Sequence, residues 1–352
     1  MRIGVLTSGG DAPGMNAVLH SVVRAGIGRG HEVLGIQEGY KGLLAGNAKP
    51  LSQQDADGIS RYGGTMLGSA RSKVFPTDEG QAQAKAQIKK LGLDALLVIG
   101  GNGSLTGAHK IAQDGDLLVV GLPASIDNDI GHCGLAIGVD TAVNTIVEAC
   151  DRISDTAKAH HRAFIVEVMG RSCGYLAMRS GIASEADAIL FAERNRPEEE
   201  VVAHLREVMQ RSFAEKRDKK RVLIIKAEGV KVPTQTLVDR LQEHLDEDAP
   251  GVDIRATILG HVVRGGAPSA MDRVIGQRLG LAALFAFEAG LSDVMLGWET
   301  PDTVGEATKD PSIRATKLDE MLQETEELLN GKSPVTKARI QLLETVENLL
   351  SL

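Results

Sequence analysis

Asp127 and Asp129 stand two apart in the stretch SIDND (125–129). In an extended turn, residues at that spacing project to the same side. One carboxylate can then take a proton from a hydroxyl while the other orients it or faces a metal ion. Phosphoryl transfer needs those two roles, with cations around the migrating group. A plain polar turn has the same spacing, so spacing alone leaves both readings open. Cationic side chains recur near glycines. Arg71 ends GTMLGSAR (64–71), Arg162 follows His160 and His161, and Arg171 ends MGR (169–171). His261 and Arg264 lie within GHVVRGG (260–266). Guanidinium forks match phosphate oxygens, although each arginine alone also suits a surface ion pair. Glu228, after the apolar run 221–227, can accept from sugar hydroxyls.

Three turns carry the glycines that close approach to phosphate requires: VLTSGGDAPGMN (5–16), VIGGNGS (98–104) and GLPASIDNDIG (121–131). In the first two, the helix that follows offers unpaired N–H groups to an anion. Neither the G-x-G-x-x-G dinucleotide spacing nor the Walker lysine is present, so the phosphates are held by another scheme. The polar residue of the second turn is Asn102, an amide where a metal-bound phosphate donor favours a carboxylate. These residues reach a phosphotransferase acting on a phosphorylated polyol, without choosing the molecule.

The elements that position them are short apolar strands alternating with helices. Strands are expected at 2–7, 32–37, 95–100, 116–121, 163–169, 188–191, 221–227 and 253–259. The longest helix is expected at 140–159, where Val143, Ile146, Val147, Cys150 and Ile153 keep helical spacing. The pattern predicts an α/β fold with mostly parallel sheets covered on both faces. At the end, 316–329 and 335–350 read as two acidic amphipathic helices separated by NGKSP. One carries Leu318, Met321, Leu322, Leu328 and Leu329; the other carries Leu342, Leu343, Val346, Leu349 and Leu350.

Composition limits the alternatives. The 352 residues are 43% hydrophobic, enough for a large core in two domains. No run of eighteen apolar residues suggests a membrane span, and the first residues lack a signal-peptide pattern, so a cytoplasmic location is expected. Three scattered cysteines fit reduced thiols. A net charge of −8 gives no footprint for nucleic acid, and the basic run EKRDKKR (215–221) reads as a solvated helix end.

SGGDAPGMN, GGTMLGSAR, GGNGS, SIDND after a proline, VEVMGR and LGHVVRGG fall in the order and approximate spacing of the 6-phosphofructokinase family. The chain resembles its bacterial type over roughly residues 1–300. That resemblance implies two doubly wound domains, while the C-terminal helical hairpin read above has no match in the short bacterial enzymes. Residues 1–138 with 268–302 would form the phosphoryl-donor domain, and 139–267 with 303–314 the sugar-phosphate domain. Residues 315–352 would be a helical extension.

The implied reaction moves the γ-phosphoryl group of ATP to the C1 hydroxyl of fructose 6-phosphate, in glycolysis. Asp127 would be the general base and Asp129 its support. Ser125 and Arg171 would contact the transferring group. Gly9, Tyr40, Arg71, Gly101, Gly103 and Ser104 would line the donor. Met169, Gly170, Glu228, His261 and Arg264 would hold the sugar phosphate, joined by Arg162 and Arg255 from a neighbouring subunit of a homodimer or homotetramer. Mg2+ would sit with Asn102 and Asp129. Pyrophosphate users of the family resemble GGDDS and PKTIDND, and the corresponding Gly103 and Ala124 here imply ATP. The family's effector arginines are replaced by His20, Gln53 and Ser154, with Arg24 kept, which implies weak control by phosphorylated effectors. A pyrophosphate-dependent enzyme and a kinase of a related sugar phosphate, such as sedoheptulose 7-phosphate, are alternatives. A non-catalytic sugar-phosphate or nucleotide sensor is a third, and Asn102 is its one supporting feature.

Overall fold

Apolar runs of five to seven residues become strands here because both of their faces are covered. All six residues of Ala95–Gly100 are buried, as are six of the seven in Arg2–Ser8. The computed structural model describes residues 1–113, 115–214, 221–298, 306–307 and 313–341. Its described residues form two units, Met1–Thr141 with Arg264–Glu327, and Ala142–Val263 with the residues from Leu328 onwards.

In chain order the elements begin with β1 (Arg2–Ser8), α1 (Met15–Gly28), β2 (Glu32–Ile36), α2 (Gly39–Ala45), β3 (Ala48–Pro50) and α3 (Asp78–Leu91). Then come β4 (Ala95–Gly100), α4 (Asn102–Ala112), β5 (Leu118–Pro123) and α5 (Val139–His160). Next are β6 (Arg162–Val168), α6 (Tyr175–Ala183), β7 (Ala188–Leu190), α7 (Glu198–Phe213), β8 (Arg221–Ala227), α8 (Thr234–Asp248) and β9 (Ile254–Ile258). The chain closes with α9 (Ala270–Glu288), β10 (Val294–Trp298), β11 (Glu306–Ala307), β12 (Ile313–Lys317) and α10 (Leu318–Leu329).

The larger sheet has the order β11-β12-β10-β5-β4-β1-β2-β3. Its five strands from β10 to β2 are mutually parallel, and the edges are antiparallel. The order reverses between β1 and β4, the place where an open α/β sheet leaves a crevice beyond its carboxyl ends. The smaller sheet is β7-β8-β6-β9, all parallel. Its core is the cluster of Ala163, Ile165, Val222 and Ile224 against α7 and α8 residues such as Leu205, Leu237 and Leu241.

All eight expected strands are present, with ends shifted by a residue or two. β3, β10, β11 and β12 were not anticipated. The run VMLGW of β10 is buried throughout and has no alternation to mark it. Residues 316 and 317, expected to open a helix, instead end β12, where Lys317 pairs with Val294. The described parts of 303–314 pair in the larger sheet rather than the smaller, because β12 completes the edge beside β10. Of the final helix, 334–341 is helical, and its stripe from Leu342 onwards lies outside the described residues. So does most of the basic run 215–221. Among the described residues no helix is long and apolar enough to cross a membrane.

Charge fastens two helix ends. Arg29, after α1, donates to Glu288 at the end of α9 through Nε (2.6 Å) and Nη2 (2.5 Å), and His31 Nε2 lies 3.1 Å from the same carboxylate. These bonds, Arg29 foremost, hold the Glu288 carboxyl down at about 2. A carboxyl lowered by folding stabilises above its unfolded value and loses that contribution as pH falls towards its folded value. Solvent screens this partly exposed pair, so Glu288→Gln is expected to cost about 1 kcal/mol or less at neutral pH. Urea unfolding of both proteins should show that gap closing between pH 4.5 and pH 2.

Candidate active site

The three glycine turns leave β1, β4 and β5 at the same sheet edge, and side chains fix each one. After β1 the chain turns at Gly9, whose φ is +89°, and Ser69 Oγ donates to its carbonyl at 2.5 Å. Asn16, in the first turn of α1, is 4% exposed. Its amide donates to the carbonyls of Tyr62 (3.1 Å) and Gly63 (3.2 Å) and accepts from Met66 N (2.8 Å). Thr7 Oγ1 meets Thr65 Oγ1 and Gly68 O, each at 2.9 Å. The segment ending in Arg71 is thereby pinned to the end of β1, and Arg71 itself is exposed.

The second turn opens α4, with Gly101 as its N-cap and Asn102, Gly103 and Ser104 as its first turn. Gly101 O accepts from Ser104 N and Leu105 N, and no side chain caps the helix. A methyl on Gly103 would meet nothing within 4 Å, so the helix opens onto free space there. Such a terminus attracts anions through its N–H groups and the helix dipole. Tyr40 supports the turn from beneath. It is 4% exposed, stacks on Phe75 at 3.7 Å, and donates to Ser104 O at 2.6 Å. Burial pushes its hydroxyl well above the usual tyrosine range, so it stays a neutral donor.

The third turn carries the aspartates. It is not extended as its spacing suggested: Asn128 has φ +51°, and its amide bonds to Gly134 O (3.2 Å) and Ala136 N (3.0 Å). That left-handed residue parts the two carboxylates, which find different partners. Asp127, 3% exposed, lies 3.8 Å from Arg264 Nη2, beyond hydrogen-bond range but close enough for its charge to be felt. Asp129, 8% exposed, accepts from Ser125 Oγ at 3.4 Å. Arg264 also donates to Asp11 O at 3.3 Å, and a methyl on Gly10 would stand 2.8 Å from its Nη1. Arg264 therefore joins the first and third turns. The second reaches the third too: a methyl on Gly101 would lie 3.9 Å from Ser125 Oγ.

In the second unit, Met169, Gly170 and Arg171 follow β6, and Glu228 follows β8. Glu228 Oε1 accepts from Gly170 N (3.2 Å) and Arg171 N (2.7 Å), with φ of +136° and +52° at those residues. The carboxylate thus shapes the loop before any ligand arrives. His261 is exposed. Arg162 and Arg255 stand at the opposite, amino ends of β6 and β9 and converge on Asp253, at 3.4 and 3.0 Å. Seven residues of strand separate Arg162 from Met169 by about 23 Å. A single hexose phosphate cannot touch both within one chain.

Elsewhere in the first unit, Arg24 pairs with Asp57 at 3.7 Å. Burial, then Arg24, lowers the pKa of His20, which keeps that ring neutral near pH 7. Asn16 and Thr7 were not anticipated. Asn16 ends a stretch singled out for its glycines, and only the folded chain reveals what its amide holds.

The phosphofructokinase family pattern matches residues 2–287. The ATP-dependent 6-phosphofructokinase of Natranaerobius thermophilus is 47% identical over 296 residues, covering 84% of this chain and 89% of that one. Its counterpart from Thermotoga neapolitana is 42% identical over 330 residues, covering 94% and 99%. Phosphofructokinase from Saccharomyces cerevisiae superposes with a TM-score of 0.84 at 36% identity over 99% of this chain, which spans about half (49%) of that longer protein. The pyrophosphate-dependent phosphofructokinase of Marinobacter aquaeolei, at 20% identity, covers 91% of this chain and 84% of its own with a TM-score of 0.76, a likeness of fold alone.

Asn16→Ala would leave two carbonyls and one N–H without their buried partner, at a cost of about 2 kcal/mol. Hydrogen exchange should then show the Met66 amide losing protection while the strands β4 and β5 keep theirs.

Proposed function

This chain belongs to the phosphofructokinase family, and from that premise we propose that it transfers the γ-phosphoryl group of ATP to the C1 hydroxyl of fructose 6-phosphate, giving fructose 1,6-bisphosphate. The observation that carries this reading is Asp127, buried in the turn beyond β5 and 3.8 Å from the Arg264 guanidinium. A fixed cation beside a carboxylate favours its charged form, which is the form that can accept a proton. Asp127 takes the C1 proton as the hydroxyl attacks. Ser125 and Arg171 contact the migrating phosphoryl group, and Arg171 neutralises charge that develops on it.

Gly9, Gly101, Gly103 and Ser104 receive the donor phosphates, with Arg71 beside them; Tyr40 acts by holding Ser104. The open space at Gly103 leaves room for an α-phosphate and nucleoside, and the buried Ala124 brings no ammonium for a pyrophosphate. Both features favour ATP, as does the likeness to ATP-dependent bacterial relatives. Phosphoryl transfer from a nucleotide uses a divalent metal, which neutralises charge on the phosphates. Asp129 and Asn102 would hold Mg2+, a hard cation that prefers oxygen ligands. Asn102 brings an oxygen without a charge, so magnesium is held more weakly than by two carboxylates.

Met169, Gly170, Glu228, His261 and Arg264 hold the sugar phosphate. The length of β6 supports the assignment of Arg162 and Arg255 to a neighbouring subunit's ligand. Exposed Ile258 (65%) and Val262 (66%) beside β9 favour contact with a second copy. The active form is then a homodimer or homotetramer.

The test is a coupled assay for fructose 1,6-bisphosphate with ATP or pyrophosphate across a magnesium series. Turnover with ATP is expected, lowered about 10³-fold in kcat by Asp127→Asn. Asn102→Asp should move half-maximal activity to lower magnesium. Turnover with pyrophosphate alone would overturn the donor assignment. Binding of fructose 6-phosphate without turnover would replace the kinase by a sensor.

A further inference from the structure

The loop that carries Asp127 and Asp129 is closed at its base, where Ile137 N donates to Pro123 O at 3.0 Å and Ala124 bridges Ile137. Asn128 latches it from within. A third hold comes from far along the chain. Gly131 N, two residues beyond Asp129, donates to Thr325 Oγ1 of α10 at 2.9 Å. Thr325 is 1% exposed, and its hydroxyl continues to Met321 Sδ at 3.3 Å. The helix lies directly on the loop. A methyl on Gly131 would stand 2.7 Å from Cβ and Cγ of Glu324 and 2.9 Å from Met321 O.

We propose that Thr325 is a positioning residue for the phosphoryl transfer, fixing the far end of the aspartate loop by accepting from the Gly131 amide. The inference rests on the kinase reading above and deepens it, because it assigns α10 a part in the reaction. A buried N–H that loses its acceptor is strongly destabilised. The loop escapes that by drawing Gly131 away from α10, and Asp129 and Asp127 move with it. Displacement falls on the geometry of proton removal and on the metal position at Asp129, while the glycine turns after β1 and β4 and the Met169–Arg171 loop stay in place.

The experiment compares wild type, Thr325→Val, Thr325→Ser and Gly131→Ala in the full-length protein. Val keeps the volume but not the acceptor. Ser keeps the acceptor. Ala keeps the amide bond but forces the loop off Glu324. Leu328→Ala, a buried residue in the last turn of α10 whose side chain offers no hydrogen-bond acceptor, controls for lost stability. Expected is a fall in kcat of about 10- to 100-fold for Thr325→Val and Gly131→Ala, with both KM values within about twofold, because a shift of about an ångström can cost that much. Thr325→Ser should restore most of the rate.

The inference is overturned if Thr325→Val loses stability as Leu328→Ala does while kcat stays at the wild-type value. Ser and Val variants that are equally slow would overturn it too, since the acceptor would then not matter. If Thr325→Val does not fold, Gly131→Ala decides by the same split between kcat and KM. A wild type without turnover would sink the kinase reading first, and this inference with it.

Discussion

The candidate chemistry depends on a loop that must be irregular and yet immobile. Residues 124–137 leave β5, carry two carboxylates into near-complete burial and come back to the same strand end. Hydrogen bonds at the base, the Asn128 amide within and α10 above restrain them. The next residues are held as firmly. Asp272 of α9 accepts from Gly138 N and Thr141 N at 2.8 Å, and from Thr141 Oγ1 at 2.5 Å. A buried carboxylate at the start of α5 answers the unpaired amides that every helix begins with. Burial raises its pKa and these bonds oppose the rise. Ser269, the N-cap of α9, adds to that anchor by donating from N to Thr141 Oγ1 (2.9 Å) and from Oγ to Asp140 Oδ2 (2.6 Å).

Electrostatics at the site follows from the same economy of groups. The first unit brings few charges to the turns: Asp11, Asp127, Asp129, Arg264 and the exposed Arg71. The remaining positive character comes from the first turn of α4, whose amides are fixed by the helix and need no reorganisation when an anion arrives. Tyr40 makes that terminus rigid from below. An amide at Asn102 fits a site in which the donor itself carries most of the charge that a metal requires. On the reading proposed above, selectivity between donors would rest on the space at Gly103.

The second unit divides its cations between the two ends of a parallel sheet. At the carboxyl ends, Glu228 moulds the Met169–Arg171 loop through backbone amides. At the amino ends, Arg162 and Arg255 share Asp253. Since a strand sets a fixed rise per residue, no rotamer change can bring the two groups to one small ligand. If both serve a sugar phosphate, the assembly must supply one group from another copy.

Much of this was legible in the linear sequence, for identifiable reasons. Apolar runs such as ALLVIG and RVLIIKA have one stable use when helices flank them, so the eight anticipated strands, the long α5 and the α/β class followed from pattern. The glycine turns beyond β1, β4 and β5 also followed, because close approach to phosphate restricts residue type. What pattern could not carry was any relation between distant residues. That Asn128 turns left-handed and parts the aspartates depends on Gly134 and Ala136 being within reach. That Arg264 faces Asp127, and that Asn16 and Thr325 brace loops 46 to 194 residues away, depends on which strands lie side by side. β10 and β12 were missed because a short buried run, or an edge strand running into a helix, has no periodicity of its own. The sequence by itself determined which chemistry is available and roughly where it sits. Only the tertiary structure decided which groups meet, because hydrogen bonds and ion pairs act over a few ångströms while the residues that make them lie far apart in the chain.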